Sequence, residues 1–221
     1  MHRIFSCGNG STFALGHSSK ESCSNFRQIE FFNSPASSHL SSSGENTGTI
    51  GLQNVVVKTI ACGLSHSGCV TGDGEVYVWG LTGEVQGKAN QEQLYEKCLF
   101  KRPTQVSFKH CLERDSSHTQ NNLGSGSANR RKSDVNGDAS PGVSSAVIDE
   151  IKMGEYLTVA LSTRGYVYTW GMNDKGQLGI GQEIPYSFEP VVVSSSKGTL
   201  SKAVYRIGCG LKHVMVLTKD Y

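Results

Sequence analysis

The sequence predicts an all-β protein assembled from β-propeller blades, each of four short antiparallel strands, and three observations carry that reading. First, a stretch repeats without a gap: "IACGLSHSGCVTGDGEVYVWG", from Ile60 to Gly80, lies over "IKMGEYLTVALSTRGYVYTWG", from Ile151 to Gly171. The glycines Gly63, Gly74 and Gly80 fall on Gly154, Gly165 and Gly171, and Tyr77 and Trp79 fall on Tyr168 and Trp170. Second, glycine reaches 26 of 221 residues while hydrophobic residues are 37%, which favours turns and short strands over long helices. Third, the aromatics alternate with small or β-branched residues, as in Val76 to Trp79 and Val167 to Trp170. That is the period of a strand that presents two faces.

The elements follow in order. Residues 1–17 read as the second half of a blade, because Ile4 to Gly16 overlays Val167 to Gly179, with Cys7 in the Trp place and Phe13 in the place of Gly176. Residues 18–48 form a Ser-rich insertion, with Ile29 to Phe32 as a short apolar patch that docks locally. Residues 49–109 form a complete blade: "NVVVKTIACG", "HSGCVT", "EVYVWG" and "PTQVSF" are its strands, and Gly72-Asp73-Gly74 turns a tight hairpin. Gly63 and Gly154 lie 91 positions apart but Gly154 and Gly210 only 56, and the surplus 35 occupy residues 110–144. This second insertion is rich in Ser, Asn and Gly and poor in large apolar residues, so burial cannot offset its ordering entropy, and it is expected to be disordered. Residues 145–200 form the next blade, with Thr163-Arg164-Gly165 as its hairpin. Residues 201–221 form the first half of another, placing Gly210 and His213 where Gly63 and His66 stand.

Pro103 and Pro190 are expected at the outer start of the fourth strands, where a missing donor is tolerated. The count is twelve strands, or three blades, against the roughly four of the smallest closed propellers. The expectation is an incomplete propeller: a fragment, a truncated or partly represented protein, or an arc that a partner completes. A chain that begins in the second half of one repeat and ends in the first half of another suggests a ring closed by joining its termini.

Composition narrows the function. Lys and Arg total 21 against 19 Asp and Glu, a net charge of +2, which argues against a dedicated nucleic-acid or membrane binder. Seven cysteines without C-x-x-C spacing indicate neither a disulfide framework nor a zinc module, so reduced, mostly buried thiols in the cytoplasm or nucleus are expected. The first residues lack the apolar stretch of a signal peptide, so the sequon at Asn9 is expected to stay unglycosylated.

The candidate chemistry is weak. Gly176, Gly179 and Gly181 suggest a phosphate loop, but that loop needs a helix after it, and "QEIPYSFEPVVV" cannot start one. Ser65 beside His66 is one residue out of register with a nucleophile elbow, and His66 recurs as His213, so each is read as a histidine that holds its own blade by a hydrogen bond. Cys62 and Cys209 read as buried filler, and Trp79 and Trp170 as packing between neighbouring blades. No catalytic residue, cofactor site or metal site is assigned. "NRRKSD" offers Ser133 as a candidate phosphorylation site or a weak nuclear-import patch.

The full pattern, I-x-C-G-x-x-H followed by L-T-x-x-G-x-V-Y-x-W-G-x-N-x-x-G-Q-L-G-x-G, resembles the regulator-of-chromosome-condensation repeat. Gly165 to Gly181 carry its second part, and Cys62, Gly63, His66, Cys209, Gly210 and His213 the first. The first blade departs from it after Trp79-Gly80, and Leu157 stands where His is usual. The resemblance implies a propeller, commonly of seven blades, and identifies this chain as a short or truncated member. The family includes a chromatin-bound exchange factor for the GTPase Ran, alsin-type Rho and Rab regulators, ciliary proteins and very large ubiquitin ligases. It therefore implies a non-catalytic protein-interaction module or a regulator of a Ran-, Rho- or Rab-like GTPase. The implied partner is another protein, such as a small GTPase or a chromatin-associated protein, with neither a membrane nor a specific nucleic-acid sequence as target.

Overall fold

The computed structural model describes residues 2–32, 55–83, 91–108, 146–193 and 203–218. Twelve strands are present among them, in four antiparallel sheets. Sheet I pairs β1 (Phe5–Gly8) with β2 (Cys23–Gln28). Sheet II runs β3 (Val57–Cys62), β4 (His66–Thr71), β5 (Val76–Leu81) and β6 (Leu99–Val106), and the helix α1 (Gln91–Cys98) precedes β6. Sheet III runs β7 (Ile148–Met153), β8 (Leu157–Ser162), β9 (Val167–Met172) and β10 (Tyr186–Val192). Sheet IV pairs β11 (Val204–Cys209) with β12 (Val214–Thr218). Neighbours in sequence are neighbours in each sheet, the meander of a propeller blade.

The core lies between sheets, in three layers. Strands β4 and β8 are buried along their whole length, since each has paired strands on both edges and a neighbouring sheet on its faces. Alternation then distributes side chains to the two sides. From β5, Tyr77 and Trp79 join Ile4, Ile29 and Phe32 between sheets I and II. Val76 and Val78 of the same strand join Phe108, Ile151, Tyr168 and Trp170 between sheets II and III. Val159, Leu161 and Val167 meet Val204 and Ile207 between sheets III and IV. Each large side chain so buried contributes about 1.5–3 kcal/mol, and among the described residues each of these clusters joins sheets that follow one another in the chain, as in other repeat architectures.

Three features differ from the sequence expectation. The first blade extends past its predicted limit: β2 pairs with β1, and the 3-10 turn Glu30–Phe32 buries Ile29 and Phe32 beneath Tyr77 and Trp79. The Ser-rich composition hid this strand because β2 is mostly exposed and needs backbone pairing rather than apolar residues. Pro103 and Pro190 lie inside β6 and β10, where the register slips against Val78–Gly80 and Thr169–Gly171. A bulge leaves a residue out of the ladder, so a proline without N–H is accommodated there. The helix α1 was not foreseen, because its eight polar-rich residues carry no long apolar period. Residues 110–144, Ser133 among them, lie outside the described residues.

Candidate interaction site at the blade junctions

The repeated glycines stand where one sheet touches the next. Gly74 and Gly165 adopt φ of +81° and +84°, and their carbonyls accept hydrogen bonds from Ile148 N and Val204 N, the first residues of the following sheets. A Cβ at Gly74 would come within 2.5 Å of Val147, and one at Gly165 within 2.7 Å of Ala203. At the other end of the strands, Leu64 N donates to the Gly154 carbonyl (3.0 Å) and Glu155 N to the Leu211 carbonyl (2.9 Å). A Cβ on Gly63 or Gly154 would sit 2.4 or 2.5 Å from the carbonyl oxygen of the next repeat's glycine, Gly154 or Gly210. Glycine is required at these positions by backbone packing between sheets.

His66 is fully buried, and its Nε2 lies 3.0 Å from Thr158 Oγ1. It reaches the following sheet rather than holding its own, because Thr158 presents its hydroxyl directly across the junction. Burial lowers its pKa to about 4, with a backbone interaction at Leu157 opposing the shift, so the ring is neutral at pH 7. His213 is exposed. The cysteines also differ from expectation: Cys62 is exposed and Cys209 half-buried, since alternate residues of the first strands face away from the packed layers. Cys69 and Cys98 are the buried ones, and burial raises the Cys69 thiol to about 12. Both are unsuited to nucleophilic work.

The two tryptophans occupy equivalent positions with different surroundings. Trp79 Nε1 donates to the Ala14 carbonyl (2.8 Å), to which Ser67 Oγ also donates (2.9 Å). Trp170 has no acceptor among the described residues. It lines a cleft of about 250 Å³ between sheets II and III, together with Phe100, Lys97, Phe188 and Glu189. This cleft carried no signal in the sequence, because half of its wall comes from α1 and the bulged outer strands.

The loop after β9 spends its polar groups on itself. Asn173, 1% exposed, donates through Nδ2 to the Gly181 and Ile184 carbonyls (2.6 and 2.7 Å) and accepts from Leu178 N (2.9 Å). Gly176 N returns to Asn173 O and Gly179 N to Gly176 O. Phe13 N to Gly10 O and Gly16 N to Phe13 O repeat that pattern in sheet I, with Phe13 at φ 62° in the place of Gly176. With Leu178 N and these glycine N–H groups already bonded, the loop is built to turn the chain and not to cradle phosphate.

The same end of the sheets, where Met172 N donates to the Tyr156 carbonyl, also carries an exposed apolar surface. Leu64 and Leu211, in equivalent repeat positions, are 61% and 63% exposed. They line one open depression with Glu155, Lys212 and His213, and Lys212 Nζ lies 3.1 Å from Glu155.

Four-stranded antiparallel sheets joined through glycine contacts of this kind define a β-propeller repeat protein. Two family models described as "Regulator of chromosome condensation (RCC1) repeat" match it, one over residues 164–217 and the other over residues 57–84 and 148–177. Over those residues the chain carries RCC1 repeats. It is 27% identical over 237 residues to the human E3 ubiquitin-protein ligase HERC2, covering 98% of this chain and 4% of that protein. Against the Ultraviolet-B receptor UVR8 of Arabidopsis thaliana it is 24% identical over 183 residues, covering 76% of this chain and 40% of the receptor. The crystal structure of Prp20p from Saccharomyces cerevisiae, reported with its binding to Gsp1p and histones, shares the fold. Its TM-score is 0.60 at 16% identity, over 99% of this chain and 40% of Prp20p. The chain thus spans well under half the length of each of these relatives.

Proposed function

We propose that the chain is a non-catalytic protein–protein interaction module that docks a partner through its loops and blade faces, in the cytoplasm or nucleus. The observation that carries this reading is the pair of exposed leucines, Leu64 and Leu211, set by the repeat around one depression. Exposed apolar side chains gathered in one place on a soluble scaffold favour contact with another protein. The adjoining Lys212–Glu155 pair supplies the polar rim that such contacts use. Gly63, His66, Gly74, Trp79, Gly80, Gly154, Gly165, Trp170, Gly171, Gly176, Gly179, Gly210 and His213 are assigned to the structural repeat signature, and Ser133 stays a candidate for phosphorylation.

A second reading is guanine-nucleotide exchange on a Ran-, Rho- or Rab-like GTPase, favoured by the family and by the fold shared with Prp20p, whose described binding includes Gsp1p and histones. Exchange forms no covalent bond, so it needs a displacing surface rather than a catalytic side chain. Release of labelled GDP from a panel of small GTPases separates the two. Acceleration by the purified chain establishes exchange. Silence, together with a stable partner whose binding is lost in Leu64→Glu or Leu211→Glu, establishes the docking module and its surface.

A further inference from the structure

We propose that two copies of this chain associate head to tail, strand β12 of each pairing with strand β1 of the other, so that half-sheets IV and I complete a four-stranded blade. The inference stands apart from the interaction-module reading and uses other residues. Among the described residues, sheet I holds only β1 and β2, and sheet IV only β11 and β12. The repeat shows which halves these are. β1 is a third strand, since Ile4 to Gly8 stand where Val167 to Gly171 do, and β2 pairs with it as β10 pairs with β9. β12 is a second strand, since Cys209 pairs with Val214 as Met153 pairs with Thr158. In sheets II and III the second strand pairs with the third, so β12 and β1 are the two edges that this pairing requires.

The side chains make the same match. In sheet III, Val159 and Leu161 of β8 are buried in one cluster with Val204 and Ile207 of the following sheet. Their equivalents in β12, Met215 and Leu217, are 66% and 58% exposed. Ile151 and Ile207 are buried where their first strands meet the preceding sheet, but Ile60, at the same repeat position in β3, is 61% exposed. The sheet that precedes it is sheet I, which has no second strand among the described residues. One contact accounts for both exposed sets: β12 laid beside β1 brings Met215 and Leu217 to Ile60, as Val159 and Leu161 meet Ile207. The register of β8 on β9 then sets Val216 against Phe5, which is half exposed where its equivalent Tyr168 is buried. The occupant is a second copy because this chain carries both halves of the contact and keeps them in separate sheets. Twelve strands per copy give a pair six blades, within the ~4–8 of propellers. A head-to-tail contact that closes after two copies also leaves neither apolar edge open to unlimited association.

The test is sedimentation equilibrium of the whole chain over roughly a hundredfold range of concentration, because association is read from its dependence on protomer concentration. Twice the chain mass is expected, falling to that of one chain in Leu217→Asp and in Ile60→Asp. Phe188→Asp, which places the same charge on the exposed face of β10, should leave the pair intact. Mixing the first two variants distinguishes head-to-tail pairing from a patch that meets itself. The Leu217 variant keeps Ile60 and the Ile60 variant keeps Leu217, so one junction re-forms and the mass rises again, which also shows that both variants are folded. A chain that stays monomeric throughout, a pair that survives both substitutions, or variants that remain monomeric when mixed would overturn the proposal. A partner bound by a monomeric chain and lost in Leu64→Glu would leave the docking module standing while this pairing falls.

Discussion

The junction between sheets I and II and the junction between sheets II and III use the same tryptophan position, and close it in different ways. At the first, Trp79 is bonded to the Ala14 carbonyl and flanked by Phe32, with ring centres 6.0 Å apart. At the second, Trp170 meets Phe108 at 5.9 Å but has no acceptor among the described residues. There the polar links include backbone ones, Leu64 N to Gly154 O and Ile148 N to Gly74 O, and side-chain ones, His66 to Thr158, Tyr186 Oη to the Thr82 carbonyl and Lys58 to Asp149. The repeat thus fixes how the sheets approach, while each junction meets its polar groups with whatever its own loops provide. The first closure centres on an indole bonded to a loop carbonyl, while the second adds close backbone contact and a buried imidazole to its own side-chain link, Tyr186 to Thr82.

The largest effect should come from backbone contact. In Gly63→Val the new Cβ would stand 2.4 Å from the Gly154 carbonyl oxygen and 2.9 Å from the His66 ring, so sheets II and III must separate. A loss of about 3 kcal/mol is expected in urea unfolding, the upper range for overpacking. At the first junction, Gly16→Ala places its Cβ 3.0 Å from Trp79 Nε1 at a φ of +76°, and about 1–2 kcal/mol is expected. A larger loss in the Gly16 variant would reverse the proposed order of the two junctions.

Acid should act next, and selectively on the second junction. The His66 pKa lies at about 4 in the folded chain against 6.5 when unfolded. The unfolded state therefore binds the extra proton first. The contribution is fully present above pH 6.5 and is lost as pH falls towards 4, by roughly 3 kcal/mol in all. Thermal melts from pH 7.5 to 4.5 should show this slope, flattened in His66→Gln. An unchanged slope in that variant would place the acid sensitivity elsewhere.

The tryptophans test the comparison through a smaller difference. Trp79→Phe removes the indole donor to Ala14, whereas Trp170→Phe removes a donor without an acceptor among the described residues. Both lose comparable apolar area, so Trp79→Phe should cost about 1 kcal/mol more, the net value of one hydrogen bond. Equal losses in urea unfolding would mean that the Ala14 bond adds nothing beyond packing.

How much of this was legible in the sequence depends on which residues carry it. Gly63, Gly74, Gly154 and Gly165 were readable because a backbone contact admits one residue type, so the repeat shows them plainly. The alternation in β5 and β9 was readable for the same kind of reason: both faces are buried, and the strand period appears in residue size. Strand β2 was not, since an exposed pairing strand tolerates Ser, Asn and Arg. The partner of His66 was hidden too, because Thr158 lies 92 positions away and becomes its neighbour only when the sheets pack. The cleft at Trp170 was least readable of all, being a gap between elements rather than a property of any segment.

The smallest predicted effect concerns a pair that looks prominent. Lys58 of β3 and Asp149 of β7 form an ion pair across the second junction, but their side chains are 44% and 42% exposed. Solvent screens such a pair, and ordering two side chains offsets much of its attraction, leaving about 0.2–1 kcal/mol. Lys58→Ala should therefore lower stability by less than the tryptophan difference, and the loss should shrink further in about 0.5 M salt, where the Debye length falls below 5 Å. Asp149→Asn should match it, and the double variant should lose no more than either single one, as for two groups that act through one contact. A loss approaching that of Gly63→Val would mean that charge rather than backbone packing holds the second junction, and the contrast with the first would have to be redrawn on electrostatic grounds.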